Sequence, residues 1–252
     1  MKIKRKAASI LIAMMMLISA FGGCAKNASN EKTTAALEET TTNITKIANA
    51  KVGDIVQFGR YEQDNITTDG KEKIDWRVLA VEKGKALLLS EKILDCKPYN
   101  KTDTDVTWKT CTLRSWLNND FCNSAFSSAE QTRIKTSIIV NEDNPWNGTD
   151  GGKNTSDKLF LLSYSEVKNP VFGFSRNPDD YNTSRRAQGT DFAKSNGLYV
   201  NVNTKHSNWW LRTPGIYSNL ACSVYGNGDV NSYYDIVDNT NIGVRPALWI
   251  NL

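Results

Sequence analysis

The stretch Trp209-Trp-Leu-Arg-Thr-Pro-Gly-Ile-Tyr-Ser-Asn-Leu-Ala-Cys-Ser-Val-Tyr-Gly-Asn-Gly-Asp-Val-Asn-Ser-Tyr-Tyr-Asp235 decides the fold class. It opens on a strand-like aromatic run, Asn208 to Arg212. Ala221 to Tyr225 and Asp229 to Tyr234 then alternate around Gly226, Asn227 and Gly228. Asn-Gly is a preferred centre for a tight hairpin, because both residues tolerate positive φ. Gly243 to Ile250 reads as a final apolar strand.

Working outward, Asp54 to Phe58, Ile74 to Val81 and Ala86 to Ser90 read as short strands, with turn signals at Asn65 to Gly70 and Lys83-Gly84. Thr110 to Phe121 reads as a helix, with Leu113, Trp116, Leu117 and Phe121 on one face. Ser127 and Glu130 have capping-box spacing and open a second helix. Ser163 and Glu166 repeat that signature after the apolar strand Lys158 to Leu162. A polar loop, Asn141 to Asp157, separates these elements, and Ser184 to Ser195 suits a helix interrupted at Gly189. Short strands with two or three helices, no repeat and no alternating βαβ series define an α+β class of mostly antiparallel strands.

The N-terminal region reads differently. Lys2, Lys4, Arg5 and Lys6 precede an apolar run from Ala7 to about Phe21, too short for a membrane-spanning helix of about 20 residues. A basic head, a short apolar middle and then Gly22-Gly23 before Cys24 have the layout of an export signal over residues 1–23. The segment Phe21-Gly-Gly-Cys24 resembles a lipobox, with Phe21 in place of the usual Leu. Cys24 is therefore the expected lipidation site, which would place the protein on the outer face of the cell membrane. Residues 24–50, rich in Asn, Thr, Ser, Lys, Glu and Ala, are expected to be a flexible spacer, and residues 51–252 one globular domain.

The net charge of +4 comes from the four cations of residues 1–23, and the remainder carries as many acids as bases. The basic balance therefore gives no support for a nucleic-acid partner. Beyond Cys24, Cys96, Cys111, Cys122 and Cys222 match no zinc spacing. They permit two disulfides in three possible pairings, or four free buried thiols. His206, the only histidine, excludes any site needing two imidazoles and reads as a solvated residue of a polar loop.

Five segments in order carry a resemblance. They are Val52-Gly-Asp-Ile-Val-Gln-Phe-Gly-Arg-Tyr-Glu62, Asp75-Trp-Arg-Val-Leu79, Thr112-Leu-Arg-Ser-Trp-Leu-Asn-Asn-Asp-Phe121, Trp209-Trp-Leu-Arg-Thr-Pro-Gly215 and Gly243-Val-Arg-Pro-Ala-Leu-Trp-Ile250. Together, over about Val52 to Leu252, they resemble the domain of unknown function 6273 family of bacterial surface proteins, which implies no activity. More distantly, the late Trp-Leu-Arg strand, hairpin and Gly-Val-Arg strand resemble the C-type-lectin-like fold of the formylglycine-generating-enzyme type, and of the variable receptor proteins of diversity-generating retroelements.

Trp209, Trp210 and Trp249 are expected in the core or at its edge. Arg212 and Arg245 are expected to tie loops through forked hydrogen bonds, the alternative being a grip on an anionic ligand. The hairpin is rich in Tyr, Asn and Ser, which combine rigid contact area with adaptable hydrogen bonding, as in antibody paratopes. Tyr217, Asn219, Tyr225, Asn227, Asp229, Asn231, Tyr233, Tyr234 and Asp235 are thus the candidate ligand-contacting residues. The resemblance to retroelement receptors implies a variable segment at the same place.

Catalysis has less support. The formylglycine-generating chemistry implied by the distant resemblance needs two late cysteines, and only Cys222 lies late. The Glu-Pro-Asn and Trp-Asn-Asp motifs of calcium-dependent lectins are absent, and Trp146-Asn-Gly148 echoes the second only in part. The expectation is a monomeric, non-enzymatic module without metal or cofactor. It would be joined to the membrane through a lipid and would recognise an extracellular protein or glycan. A structural envelope domain without a specific ligand is the alternative.

Overall fold

The computed structural model describes residues 34, 41–42, 44–181 and 183–252, with only the backbone of Tyr234. Residues 1–23, Cys24 and most of the expected spacer lie outside the described residues. No described helix is long and apolar enough to cross a membrane.

Residues Leu37–Leu252 form one compact unit, of mixed α/β structure with mostly antiparallel strands. Its first sheet contains β1 (Ile55–Tyr61), β2 (Glu72–Glu82), β3 (Lys85–Ser90), β5 (Ile134–Lys135), β8 (Leu159–Phe160) and β13 (Ala247–Asn251). The order is β1-β2-β3-β13-β5, with β8 pairing the other half of β13. Asn251 lies opposite Lys85 and Ala247 opposite Leu89, so β13 fills the middle of the sheet. The second sheet runs β11 (Val230–Ile236), β10 (Leu220–Val224), β9 (Trp209–Pro214), β12 (Gly243–Val244) and β4 (Asp95–Cys96). A small ribbon pairs β6 (Ser137–Ile139) with β7 (Thr155–Asp157).

The expected final strand is therefore two strands in two sheets, divided at Arg245-Pro246. Pro246 has no amide hydrogen to give a ladder. Its carbonyl still accepts from Ser90 N at 2.9 Å. The Arg245 guanidinium fills the junction, donating to the Ser90 carbonyl at 2.8 Å and lying 5.0 Å from the Trp209 ring.

The core is aromatic. Trp76, Trp108, Trp209 and Trp210 have no exposed surface, and withdrawing even a smaller apolar side chain from water contributes about 1.5–3 kcal/mol. Every one of these indole N–H groups has a partner: the Phe58 carbonyl (2.6 Å), Asp157 (2.9 Å), the Arg185 carbonyl (3.1 Å) and the Lys97 carbonyl (3.0 Å). Trp249 is half-buried beneath the Lys85 ammonium, 3.9 Å from its ring centre. Gly59 sits at φ +71°, where a Cβ would come within 2.5 Å of the Phe126 ring.

Several expectations change in detail. Part of the expected spacer, residues 44–48, is helical, and Ile44 and Ile47 are 7% and 0% exposed. Two apolar side chains three positions apart suffice to dock one helical turn. The helix expected over Thr110–Phe121 is α1 (Thr112–Trp116), which continues through a π turn (Leu117–Phe121) into α2 (Cys122–Ala125). The Ser127–Glu130 capping box forms, but it opens only the four-residue α3 (Ser128–Gln131). Ser163 and Glu166 exchange the same reciprocal bonds at the head of a 3-10 turn, Glu166–Lys168. The Ser184–Ser195 segment is a 3-10 turn, Thr183–Arg185, then α4 (Asp191–Ser195).

The hairpin turn also departs from expectation. Only Gly228 takes positive φ (+98°), while Gly228 N bonds the Tyr225 carbonyl and Tyr225 N the Asp229 carbonyl, both at 2.8 Å. This is an ordinary turn closed by a left-handed glycine bulge, which leaves Asn227 in common backbone geometry.

Of the two cysteine states left open, the structure has the thiols. Cys96, Cys111, Cys122 and Cys222 are all free and buried. The Cys222 thiol donates to the Pro214 carbonyl at 3.1 Å, and the Cys96 thiol to the Thr240 carbonyl at 3.1 Å.

Candidate functional site

The nine hairpin residues divide into two groups. Tyr217 is 64% exposed and Tyr233 39%. Tyr225 is half-buried, and the Tyr234 side chain lies outside the described residues. The polar members largely satisfy one another. Asn219 donates to Asp103 at 2.9 Å, and Asn227 to Asp229 at 2.8 Å. Asn231, 7% exposed, donates to Asp235 at 2.9 Å, and the buried Ser223 hydroxyl also bonds Asp235.

The register explains this division. Ala221 lies opposite Asp235, but Ser223 lies opposite Asn231, so β11 carries extra residues between these pairs. Simple alternation would place Asn231, Tyr233 and Asp235 on one face. The bulge instead turns Asn231 and Asp235 onto Ser223, while Tyr233 stays exposed and its amide donates to Asn231 Oδ1 at 3.0 Å. Burial pushes the Asp235 carboxyl above the ordinary carboxylate range, against the hydrogen bonds from Ser223 and Asn231.

A third exposed aromatic was not among the hairpin candidates. Trp146 is 62% exposed in the polar loop before β7. Its position depends on Asn144, whose side chain is almost fully buried. Asn144 Nδ2 donates to the Pro214 carbonyl (2.9 Å) and the Ser232 carbonyl (3.1 Å), while Oδ1 accepts the amides of Trp146 and Asn147, both at 3.0 Å. Asn147 and Thr149 also donate to the Ile216 carbonyl at 2.8 and 2.7 Å. Asn144 thus ties the Trp146 loop to the residues immediately preceding Gly215 and Tyr233, and Asn147 with Thr149 ties it to the residue preceding Tyr217. The sequence showed here only a polar loop and, in Trp146-Asn-Gly148, a partial echo of a lectin motif, neither of which reveals the docking of the loop.

Three buried arginines brace this region. Arg212 donates twice to the Val140 carbonyl (3.2 and 3.1 Å), once to Leu161 O (2.7 Å), and forks onto both Glu166 oxygens (2.6 and 3.0 Å). Arg185, whose role the sequence did not reveal, holds the Gly228 carbonyl at 2.7 Å, Asp180 at 2.6 Å, and the carbonyls of Ser175, Asn177 and Pro178. Arg185 also offers its own carbonyl to Trp209 and, at 3.3 Å, to Arg245.

His206 is half-buried rather than freely solvated, and its Nδ1 is buried without a hydrogen-bond partner. Its carbonyl closes so tightly on Gly226 that a Cβ there would sit 2.6 Å from it. Burial raises the thiols of Cys96 and Cys111 to about 12 and lifts Cys122 and Cys222 as well, which suppresses thiolate chemistry at neutral pH.

A separate cleft of about 390 Å³ opens between Lys97, Pro98, Lys101, Leu113, Trp116 and Asp120. The Lys97 ammonium lies 4.8 Å from the Trp116 ring centre and 3.8 Å from Asp95. Among the described residues, Glu62, Asp64 and Glu72 form a carboxylate group close enough to share a metal ion.

Fold and surface together define a mixed α/β domain of mostly antiparallel strands that displays exposed aromatics on braced loops. The chain belongs to the family described as Domain of unknown function (DUF6273), whose profile matches residues 83–252. The match begins at the β2–β3 turn, so the early segments Val52–Glu62 and Asp75–Leu79 lie outside it, although β2 pairs along β3. No curated protein and no solved structure matches the chain.

Proposed function

We propose that this is a non-catalytic recognition module of the cell surface, held on the outer face of the membrane by lipid on Cys24. It binds an extracellular protein or glycan through Trp146, Tyr217 and Tyr233. The observation that carries this reading is the Asn144 clamp. A nearly buried side chain spends its hydrogen bonds on fixing a loop whose next-but-one residue is an exposed tryptophan. Rigid aromatics on a braced surface make contacts at low entropic cost. The raised thiols of the four described cysteines agree with a non-catalytic reading. The pairing of β12 with the Trp-Leu-Arg strand β9, followed by the return of β13 into the first sheet, supports a C-type-lectin-like relationship.

The test is a binding screen of the full chain against glycan and surface-protein arrays, beside a Trp146→Ala/Tyr217→Ala/Tyr233→Ala variant. A ligand whose affinity falls at least about tenfold in a folded variant supports the surface, since each aromatic anchor is worth about 1 kcal/mol or more. Equal binding by both proteins overturns it. The pairs Asn219–Asp103, Asn227–Asp229 and Asn231–Asp235 favour a second reading, an envelope scaffold whose hairpin is internally satisfied. Equal binding would promote that reading.

A further inference from the structure

The connection between β1 and β2 brings three carboxylates together. Tyr61 is the last residue of β1 and lies opposite Glu72, the first of β2, so Glu62 leaves the sheet beside Glu72. Glu72 Oε2 accepts the Gln63 amide at 2.6 Å, and Asp64 Oδ1 accepts the Ile66 amide at 2.8 Å. Asn65 takes left-handed φ (+67°) between them. As a result one carboxylate oxygen each from Glu62, Asp64 and Glu72 lies within 4.8 Å of the others.

Such a group alone costs energy through like-charge repulsion, and many acidic clusters simply face water. A second observation sets this one apart. Glu62 is only 8% exposed, and although its carboxylate accepts the Asn65 amide, its Oε1 is buried with no hydrogen-bond partner. Withdrawing a carboxylate oxygen from water without compensation is costly. The neighbouring Lys71 ammonium does not compensate it, donating instead to the Ser124 carbonyl and hydroxyl at 2.6 and 2.9 Å.

We propose that Glu62, Asp64 and Glu72 bind one Ca²⁺ ion at the open end of the β1–β2 hairpin. The donors are all hard oxygens, which suits Ca²⁺ and not Zn²⁺, whose structural sites use nitrogen and sulfur. Ca²⁺–O distances of about 2.3–2.6 Å let ligands on opposite sides of one ion lie about 5 Å apart, which accommodates this spread. Backbone carbonyls and water complete the shell. The site has a structural consequence. Phe192 N donates to the Gln63 carbonyl at 3.0 Å, and the Ser195 hydroxyl to Asn65 Oδ1 at 3.1 Å. An ion at this loop therefore fixes the surface on which α4 docks. These residues precede the family-matched region and are separate from the recognition surface.

The test uses the full chain stripped with chelator, titrated calorimetrically with CaCl2, and melted in EDTA or in about 5 mM CaCl2. The expected result is one site with a Kd of about 0.1–1 mM, the range of extracellular calcium modules. The melting temperature should rise by about 3 °C or more. In Glu62→Gln/Asp64→Asn the heat and the shift disappear, while the EDTA melt stays at or above that of the wild type, because like charges have been removed. Asp64→Asn alone, on a surface loop, gives at least a tenfold weaker Kd with the fold retained. Absence of heat and of a shift in the wild type overturns the proposal. So does a shift that survives in the double variant, since the ion then binds elsewhere.

Discussion

Replacing Arg212 by Ala separates a bracing arginine from a ligand-gripping one. The wild-type side chain is 3% exposed and makes five hydrogen bonds, two of them a fork onto Glu166. Removing one partner of a buried ion pair costs about 3–5 kcal/mol. Glu166 is 27% exposed, so water recovers part of its solvation and the pair lies at the lower end of that range. The Leu161 carbonyl belongs to a residue with no exposed surface and has no such recourse, which adds about 1–2 kcal/mol. A total near 4–5 kcal/mol follows, about 8–20 °C in melting temperature for a domain of this size. Urea denaturation measures it as a lower midpoint at unchanged slope. Glu166→Gln and the double variant complete the cycle, with an expected coupling of about 2 kcal/mol. A loss below about 1 kcal/mol would refute the bracing role. Loss of ligand binding at wild-type stability would favour the anion-gripping alternative.

Two further predictions concern titratable groups. Asp235 has a folded pKa above its ordinary value of 3.8, so the folded state holds the proton more tightly and this residue's contribution to stability falls as pH rises through that window. Asp235→Asn should flatten that part of the stability–pH profile, measured by urea midpoints from acid to neutral pH, and an unchanged slope would contradict the assignment. Cys96, Cys111, Cys122 and Cys222 should be inert to a thiol reagent in the native protein and should all react on denaturation, with no mass loss from disulfides. Rapid labelling of any of the four in the native state would contradict their burial.

Periodicity and punctuation made much of this domain legible. Short apolar segments between turn signals located β1 to β3, and the aromatic run located β9, because both patterns report burial directly. The Ser127–Glu130 signature marked a helix start but carried no information on length. The chain enters β5 at Ile134, and this tertiary pairing ends the helix. The division of the hairpin residues was not legible. Composition cannot show a bulge, and the bulge decides that Asn231 and Asp235 face Ser223 while Tyr233 faces outward. Asn144 and Arg185 escaped notice for a related reason. Each looks like an ordinary polar loop residue, and its importance lies in carbonyls that are distant in sequence.

The division of residues 243–251 between two sheets has a consequence for the order of folding. β13 occupies the middle of the first sheet, between β3 and the β5 and β8 segments, and β12 joins β4 to β9 in the second. Neither sheet can be continuous until the ribosome has made these residues, about 155 positions after the Ser90 carbonyl that Arg245 grips. The β1–β3 meander and the β9–β11 strands can pair earlier, but one final segment joins the parts of both sheets, so a premature stop before Gly243 would divide each sheet and bare the inner edges of β3 and β9 instead of leaving a slightly shorter domain.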